Sequence, residues 1–281
     1  MNAAYAAEAM HTARHVLRSP KGYMLIFIGA IVAIGSVATG LSVTMPGVAA
    51  AAVTAVAIDA LLRAAWRRAP EFPSGALLTG LVIALVLDPY APAYVLAAAA
   101  AIGVTSKHLI RSGTTNVFNP AIVGLVAVHL MFGQGESWWG GLSAYGPSGM
   151  VLILLPGIWI VDHVNKLPLV LAFLGTYFSL FTVTAFGPDP VRVAEVFGAS
   201  DVHMAVFFAC YILDDPPTSP TRYFDQIWYG ALVAGIGYLL FMTTGIVYFL
   251  PAALLVGNVA NHARRQWKGA SPFRLRRTIA N

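Results

Sequence analysis

The chain has 281 residues, 58% of them hydrophobic and only 10% charged, with 17 Lys and Arg against 12 Asp and Glu, and its mean hydropathy is +0.73. A soluble domain carries about 25% charged residues, so the composition excludes an ordinary soluble globule and reads as an integral membrane protein. One cysteine, Cys210, excludes an internal disulfide and a self-contained four-cysteine iron–sulfur or zinc site; its ordinary role is apolar packing.

In chain order, the first apolar run is YMLIFIGAIVAIGSVATGLSV, preceded by Arg14, Arg18 and Lys21. It is longer than a signal-peptide core and no small-residue cleavage site follows it, so a retained first span is expected. Apolar windows of roughly 15 to 23 residues, broken by Pro, Gly or charge, predict ten helices. They fall near 23–45, 47–66, 74–87, 92–110, 118–133, 149–162, 167–186, 202–213, 226–244 and 246–262. Asp59, deep in the second helix, needs a partner, and Arg63 one turn on supplies one. Trp138 and Trp139, after the fifth, read as anchors at a membrane interface. His129 and His203 read as hydrogen-bonded packing residues.

Starting the chain inside places 16 of the 17 basic residues in inner segments and leaves Arg192 outside, the asymmetry expected of cytoplasmic loops. Both termini are therefore expected in the cytoplasm. The third helix and its exit read LTGLVIALVLDP (78–89), and the eighth, 127 positions later, reads AVFFACYILDDP (205–216). Both are short and end on Asp-Pro. Five helices per half would set the halves in opposite orientations, the arrangement that brackets a midplane site in transporter-like proteins. The expected fold is an all-α integral membrane protein with about ten transmembrane helices in two inverted five-helix repeats. It forms a single membrane domain over 1–281, with repeats at about 23–133 and 149–262 and a basic cytoplasmic tail, 263–281, at the anionic inner leaflet.

Two stretches carry chemistry. In LDDPPTSPTR (213–222), Pro216 and Pro217 must end the eighth helix. Asp214 and Asp215 then stand at a helix C-terminus, where negative charge is unfavourable unless a donor or cation answers it. One reading is a structural cap in which Asp215 orders the turn and pairs with Arg222. Others are a cofactor-binding loop or an ion site, with Asp88, Asp214 and Asp215 along an ion pathway. In KHLIRSGTTNVFNPAIVG (107–124), Asn119 before Pro120 is a helix start that aims backbone N–H groups at whatever lies beneath it. Asn116 and Asn119 carry the donors and acceptors needed to read an imide edge such as a flavin pyrimidine, and Lys107, His108 and Arg111 can answer a negative charge. A plain capped helix beside a basic loop is the competing reading.

Taken together, PSGALLTGLVIAL (73–85), KHLIRSGTTNVFNPAIVG and ILDDPPTSPTR resemble, in order, the SAVVTGLLLAL-type helix, the KHxxGGxGxNxFNPAxxG loop and the xTDPxTSPTT stretch of the RnfD/NqrB family. These are the membrane subunits of Rnf and Na+-translocating NADH:quinone oxidoreductase complexes. DPPTSPTRYFDQIWYG is further similar to the RnfD-like UnbU proteins encoded with enediyne biosynthesis clusters. The resemblance implies an electron-transport subunit of the bacterial inner membrane, coupled to ion transport and assembled with other membrane or redox subunits. It places Asn116 and Asn119 in a non-covalent flavin pocket and matches Asp215, Pro216, Thr218 and Ser219 to the second signature loop. Family members that bind FMN covalently use a threonine in an S/T-G-A-T motif before the eighth helix. The corresponding loop here, EVFGASDVHM (195–204), has none, so FMN or riboflavin is expected to bind non-covalently. The alternatives are a non-redox transporter of an ion or small molecule on the same fold, or a structural membrane subunit. No phosphate loop, nucleophile elbow or nucleic-acid face is present, so no nucleic-acid partner and no metal site are expected.

Overall fold

The computed structural model describes residues 19–68, 71–112, 115–187 and 190–270, with side chains to 267. Arg14, Arg18 and the tail residues Arg274, Arg276 and Arg277 lie outside the described residues. Helix α1 (Pro20–Thr39) starts on Ser19, whose hydroxyl accepts from the Gly22 N–H, with Pro20 at the first helical position. Gly40, at φ +105°, turns the chain directly into α2 (Leu41–Ala65), a conformation that side-chain-bearing residues resist. Then come α3 (Ser74–Val86), α4 (Ala93–Leu109), a two-residue hairpin of β1 (Arg111–Ser112) and β2 (Thr115–Asn116), and α5 (Pro120–Phe132). The second half holds α6 (Gly146–His163), α7 (Leu167–Ala185), α8 (Ala199–Phe208), α9 (Tyr223–Thr244) and α10 (Phe249–Ala270). Helix α8 runs on as a π-helical turn, Ala209–Leu213.

Among the described residues, five helical stretches are long and apolar enough to cross a membrane: α1, α2, Trp139–His163, α7 and α9. They become six if Pro190–Phe197 and Ala199–Leu213, bent by 66°, count as one crossing. That is fewer than the ten spans expected from apolar windows. Length sets apart α3 and α5, with 13 residues each and a rise of about 20 Å against about 30 Å of hydrocarbon, and α4 with 17; α10 has 22 residues and is set apart by the polar and basic residues of its second half. The short α3 is also an enclosed one. No residue of 82–87 is more than 5% exposed and none of 205–213 more than 6%, so α3 and the end of α8 are apolar on every side because protein surrounds them.

The packing pairs recur in the two halves. Helix α2 packs along α4 and α7 along α9; α4 meets α5 as α9 meets α10; α1 lies on α3 as α6 lies on α8. Small residues allow the closest approaches. A Cβ on Gly124 would sit 2.2 Å from the Ala99 carbonyl oxygen, and one on Gly230 2.4 Å from that of Leu169. Helices α3 and α8 run in opposite directions, since the start of α3 and the end of α8 border one cavity while their other ends meet the turn at 138–142. There the His203 Nδ1 pairs with the Gly141 carbonyl at 2.6 Å, and Gly140 lies against Leu85 and Phe207.

That turn corrects the expectation for Trp138, which is 6% exposed and packs its ring edge-on to Phe207 and Phe208 rather than anchoring at an interface. The physical reason is the end of α3, whose last carbonyls lack helical partners. Ser137 and Trp138 donate their N–H groups to the Val86 oxygen, and Trp139 Nε1 donates to the Ala84 oxygen at 2.6 Å. Substituting Gly124→Val should force α4 and α5 apart and destabilise the bundle by about 1–3 kcal/mol, the range for overpacked cores. Thermal unfolding in detergent measures it, with Gly29→Ala, where a Cβ meets open space, as the matched control.

Candidate functional site

A cavity of about 520 Å³ opens where α1, α3 and α5 begin and α2, α4, α6 and α8 end. Its floor is apolar: Met24, Leu78, Val82, Ile160 and the Tyr211 ring. Its charged lining holds the basic Lys21, Arg63, Lys107 and Arg111 and the acidic Glu71, Asp214 and Asp215. Asn116 and Asn119 complete the wall. Of the residues singled out from sequence, Lys107, Arg111, Asn116, Asn119, Asp214 and Asp215 therefore share one cavity.

Thr218 and Ser219 stand behind this wall and fold it. Their backbone N–H groups donate to the Asp215 carbonyl, the Thr218 hydroxyl donates to Asp215 Oδ2 at 3.0 Å, and the Ser219 hydroxyl donates to the Asp215 carbonyl at 2.8 Å. Asp215 thus orders the turn as expected of a cap, but its partner is Thr218 and not Arg222, which is exposed at the start of α9. The cations answering this loop come from elsewhere: Lys166 donates to the Pro220 carbonyl and Arg265 to those of Ser219 and Pro217. Asn261 donates to the Thr218 carbonyl at 2.7 Å, and Gln226 to that of Thr221 at 3.2 Å. Irregular backbone between apolar helices is tolerable only when its polar groups are answered in this way.

Asn119 serves both sides of the cavity. Its side-chain oxygen accepts from the Ala121 and Ile122 N–H groups, capping α5. Its Nδ2 donates to the Ile212 carbonyl at 3.1 Å, and its backbone N–H donates to Asn258 Oδ1 at 3.0 Å. Asn258 in turn donates to the Tyr229 hydroxyl at 2.7 Å. Its amide chiefly joins α5 to α8, whereas Asn116, half-buried on β2, lines the cavity.

Asp59, fully buried, finds Arg63 Nε at 2.8 Å as expected, and also Lys107 Nζ at 3.2 Å and His108 Nε2 at 2.8 Å. Arg63 reaches on to Glu71 at 3.0 Å. The carboxylate thereby fixes two cations of the cavity lining. Burial raises the Asp214 carboxyl well above its ordinary range and, with the Thr218 hydrogen bond opposing, raises Asp215 to about 6; burial lowers the Lys166 ammonium to about 8.

Asp88 is at the other end of the bundle, beside a separate cavity of about 220 Å³ lined by Gly35, Thr39, Tyr90 and Trp139. Its Oδ1 accepts from the Tyr90 N–H. The three carboxylates assigned to one ion pathway therefore sit at two opposite ends of the bundle. His129 Nδ1 pairs with the Gln134 carbonyl at 2.9 Å, a packing role like that of His203. Residues that sequence reading missed are Asn258, Asn261, Lys166 and Arg265. The spacing of 258, 261 and 265 on one face of α10 was the available signal.

Residues 6–142 match the model of the NQR2, RnfD, RnfE family. The first half of the chain is thus similar to that family. The match takes in the α3 block and the FNPA block and stops before the DDPPTSPTR turn. No curated protein matches the chain. The apolar helices, with that similarity, make this a multi-pass membrane protein.

Two outcomes follow. Asp59→Ala takes the buried counter-charge from Lys107 and His108 and leaves Arg63 only Glu71, and should cost about 3–5 kcal/mol, as breaking a buried ion pair does; unfolding in detergent, compared with Arg63→Met, reads it. Glu136, in the turn after α5, has a buried Oε2 with no partner among the described residues, and burial raises its carboxyl from 4.5 to about 8. A folded-state value above the unfolded one means the native state binds the extra proton, so stability falls as pH rises from about 4.5 to 8. Glu136→Gln should raise the unfolding midpoint at pH 8 and leave it nearly unchanged at pH 4.5.

Proposed function

We propose that this chain is the membrane subunit of an RnfD/NqrB-like electron-transport system, holding a flavin non-covalently in the larger cavity and associated with transmembrane ion movement. The observation that carries the reading is the meeting of the FNPA helix start and the DDPPTSPTR turn, one from each half, around that cavity. At about 520 Å³ it lies within the roughly 300–1,000 Å³ of small-molecule sites, and its apolar floor with a few convergent polar groups matches their chemistry. The residues present fit the group. Met24, Leu78 and Val82 offer an apolar bed for a ring system, Asn116 donors and acceptors for its edge, and Lys21 and Arg111 a basic rim for anionic oxygens. Asn119 and the Asp215 turn hold the two walls in register. A bound flavin would supply one- and two-electron redox chemistry, which the protein tunes by polarity and orientation.

The two halves are read as an inverted repeat of five helices each, ten crossings in all, in a bacterial inner membrane with both termini in the cytoplasm. Support comes from the recurring packing pairs, from the opposite directions of α3 and α8, and from the gathering of Lys21, Arg63, Lys107, Arg111, Lys166 and Arg265 at the cavity end, with Arg192 bonded to Phe241 at the other. Further redox subunits would feed and drain the cavity. The absence of threonine from EVFGASDVHM favours non-covalent binding.

The test is the absorbance and fluorescence of detergent-purified protein, before and after acid precipitation. Flavin released to the supernatant is expected, with Asn116→Leu lowering its yield. Flavin retained in the pellet would contradict non-covalent binding, and folded, colourless protein from riboflavin-supplied cells would turn the reading toward a non-redox transporter.

A further inference from the structure

We propose that Asp214 is the proton-exchanging group of the cavity, delivering a proton to a flavin reduced there; this rests on the flavin reading above. Asp214 is 2% exposed, lines the cavity, and its Oδ1 has no hydrogen-bond partner among the described residues. A buried polar atom without a partner is costly unless a ligand or water completes it. The residue follows the π-helical turn Ala209–Leu213, a distortion frequent at functional sites.

The surroundings favour the neutral acid. Asp214 sits at the negative end of α8 and beside Asp215, both of which oppose a carboxylate. Of the cations around the cavity, Lys166 is bonded to the Pro220 carbonyl, Arg265 to the Ser219 carbonyl, and Arg63 and Lys107 to Asp59, while Lys21 and Arg111 also line it and none is within ion-pair distance of Asp214 among the described residues. Asp215 is distinct, since its carboxylate accepts from Thr218. The neutral Asp214 therefore offers an O–H to whatever occupies the cavity.

Reduction of an isoalloxazine by two electrons requires a proton at its imine nitrogen. With the electrons supplied by a redox partner subunit, or by dithionite in the test, the O–H bond of Asp214 breaks and an N–H bond forms. The product is the reduced, singly anionic flavin, faced by the basic rim. Asp214 is left as a carboxylate in the reduced state and takes the proton back when the flavin is reoxidised.

The experiment is an infrared difference spectrum, reduced minus oxidised, of the full chain in detergent, with flavin quantified in the acid supernatant of the same sample. Wild type should lose the carbonyl band of a protonated carboxylic acid on reduction. Asp214→Asn should retain flavin, lack that band and be reduced by dithionite about 10²-fold more slowly, as for loss of a general acid. Asp215→Asn should keep the band. If Asp214→Asn does not fold, Asp214→Glu serves, and should shift the band. A band unchanged in either Asp214 variant, or absent from flavin-loaded wild type, overturns the proposal. No flavin in the wild-type supernatant fells the flavin reading itself, and this role with it, by a separate readout.

Discussion

A helix broken between apolar neighbours exposes carbonyls that neither helix nor water can satisfy, and each such group costs several kcal/mol in hydrocarbon surroundings. The end of α8 is such a break, and the rest of the cavity follows from how it is answered. Asn119 takes the Ile212 carbonyl, Asn261 that of Thr218, Arg265 that of Ser219, Lys166 that of Pro220 and Gln226 that of Thr221. Four helices and the α6–α7 turn are thereby tied to one proline-rich stretch. Because the donors come from α5, α9 and α10 as well as Lys166, the turn cannot shift without unpairing several groups at once, which fixes its shape before any ligand binds.

The same logic runs at the far end, with neutral donors in place of charged ones. There α3 stops at Val86, and the SWW turn supplies the N–H groups its carbonyls lack. The asymmetry of chemistry between the two ends has a simple cause. The cavity end gathers the basic residues, so ammonium and guanidinium groups are at hand to meet carbonyls, whereas the far end relies on tryptophan and backbone donors. Asp59 then organises the basic residues: one enclosed carboxylate holds Arg63, Lys107 and His108, and so fixes two cations of the cavity that Asp214 and Asp215 also line. A charge placed so deep is tolerable only with such partners.

Much of this was legible along the chain. Ser19-Pro20 and Asn119-Pro120 mark helix starts through capping chemistry that needs no tertiary partner, and both helices begin there. The Arg63 partner of Asp59 follows from one helical turn of spacing. Misreadings arose where a partner comes from far along the chain. Trp138 looks like an interface anchor because an aromatic pair beside a long span usually is one; only the unmet carbonyls of α3 draw it inward. Arg222 looks like the partner of Asp215 because it is close in sequence, yet a hydroxyl three residues away closes the turn more tightly. Whether a short apolar helix such as α3 faces lipid or protein is not legible either, because apolar composition alone does not distinguish the two.

Composition, hydrophobic run length and the distribution of Lys and Arg determined by themselves that this is a helical membrane protein, because transfer of apolar surface and desolvation of charge are local properties that add along the chain. The two signature stretches, and the helix stops within them, were likewise determined locally, by what proline and asparagine do to the backbone beside them. Tertiary structure alone decided that Asn119 and Ile212, 93 residues apart, meet at one cavity, that Lys107 and His108 converge on Asp59, and that Asp214 is left with an unpaired oxygen inside it. Hydrogen bonds and ion pairs form only between groups brought within about 3 Å, and which groups those are depends on how whole helices pack.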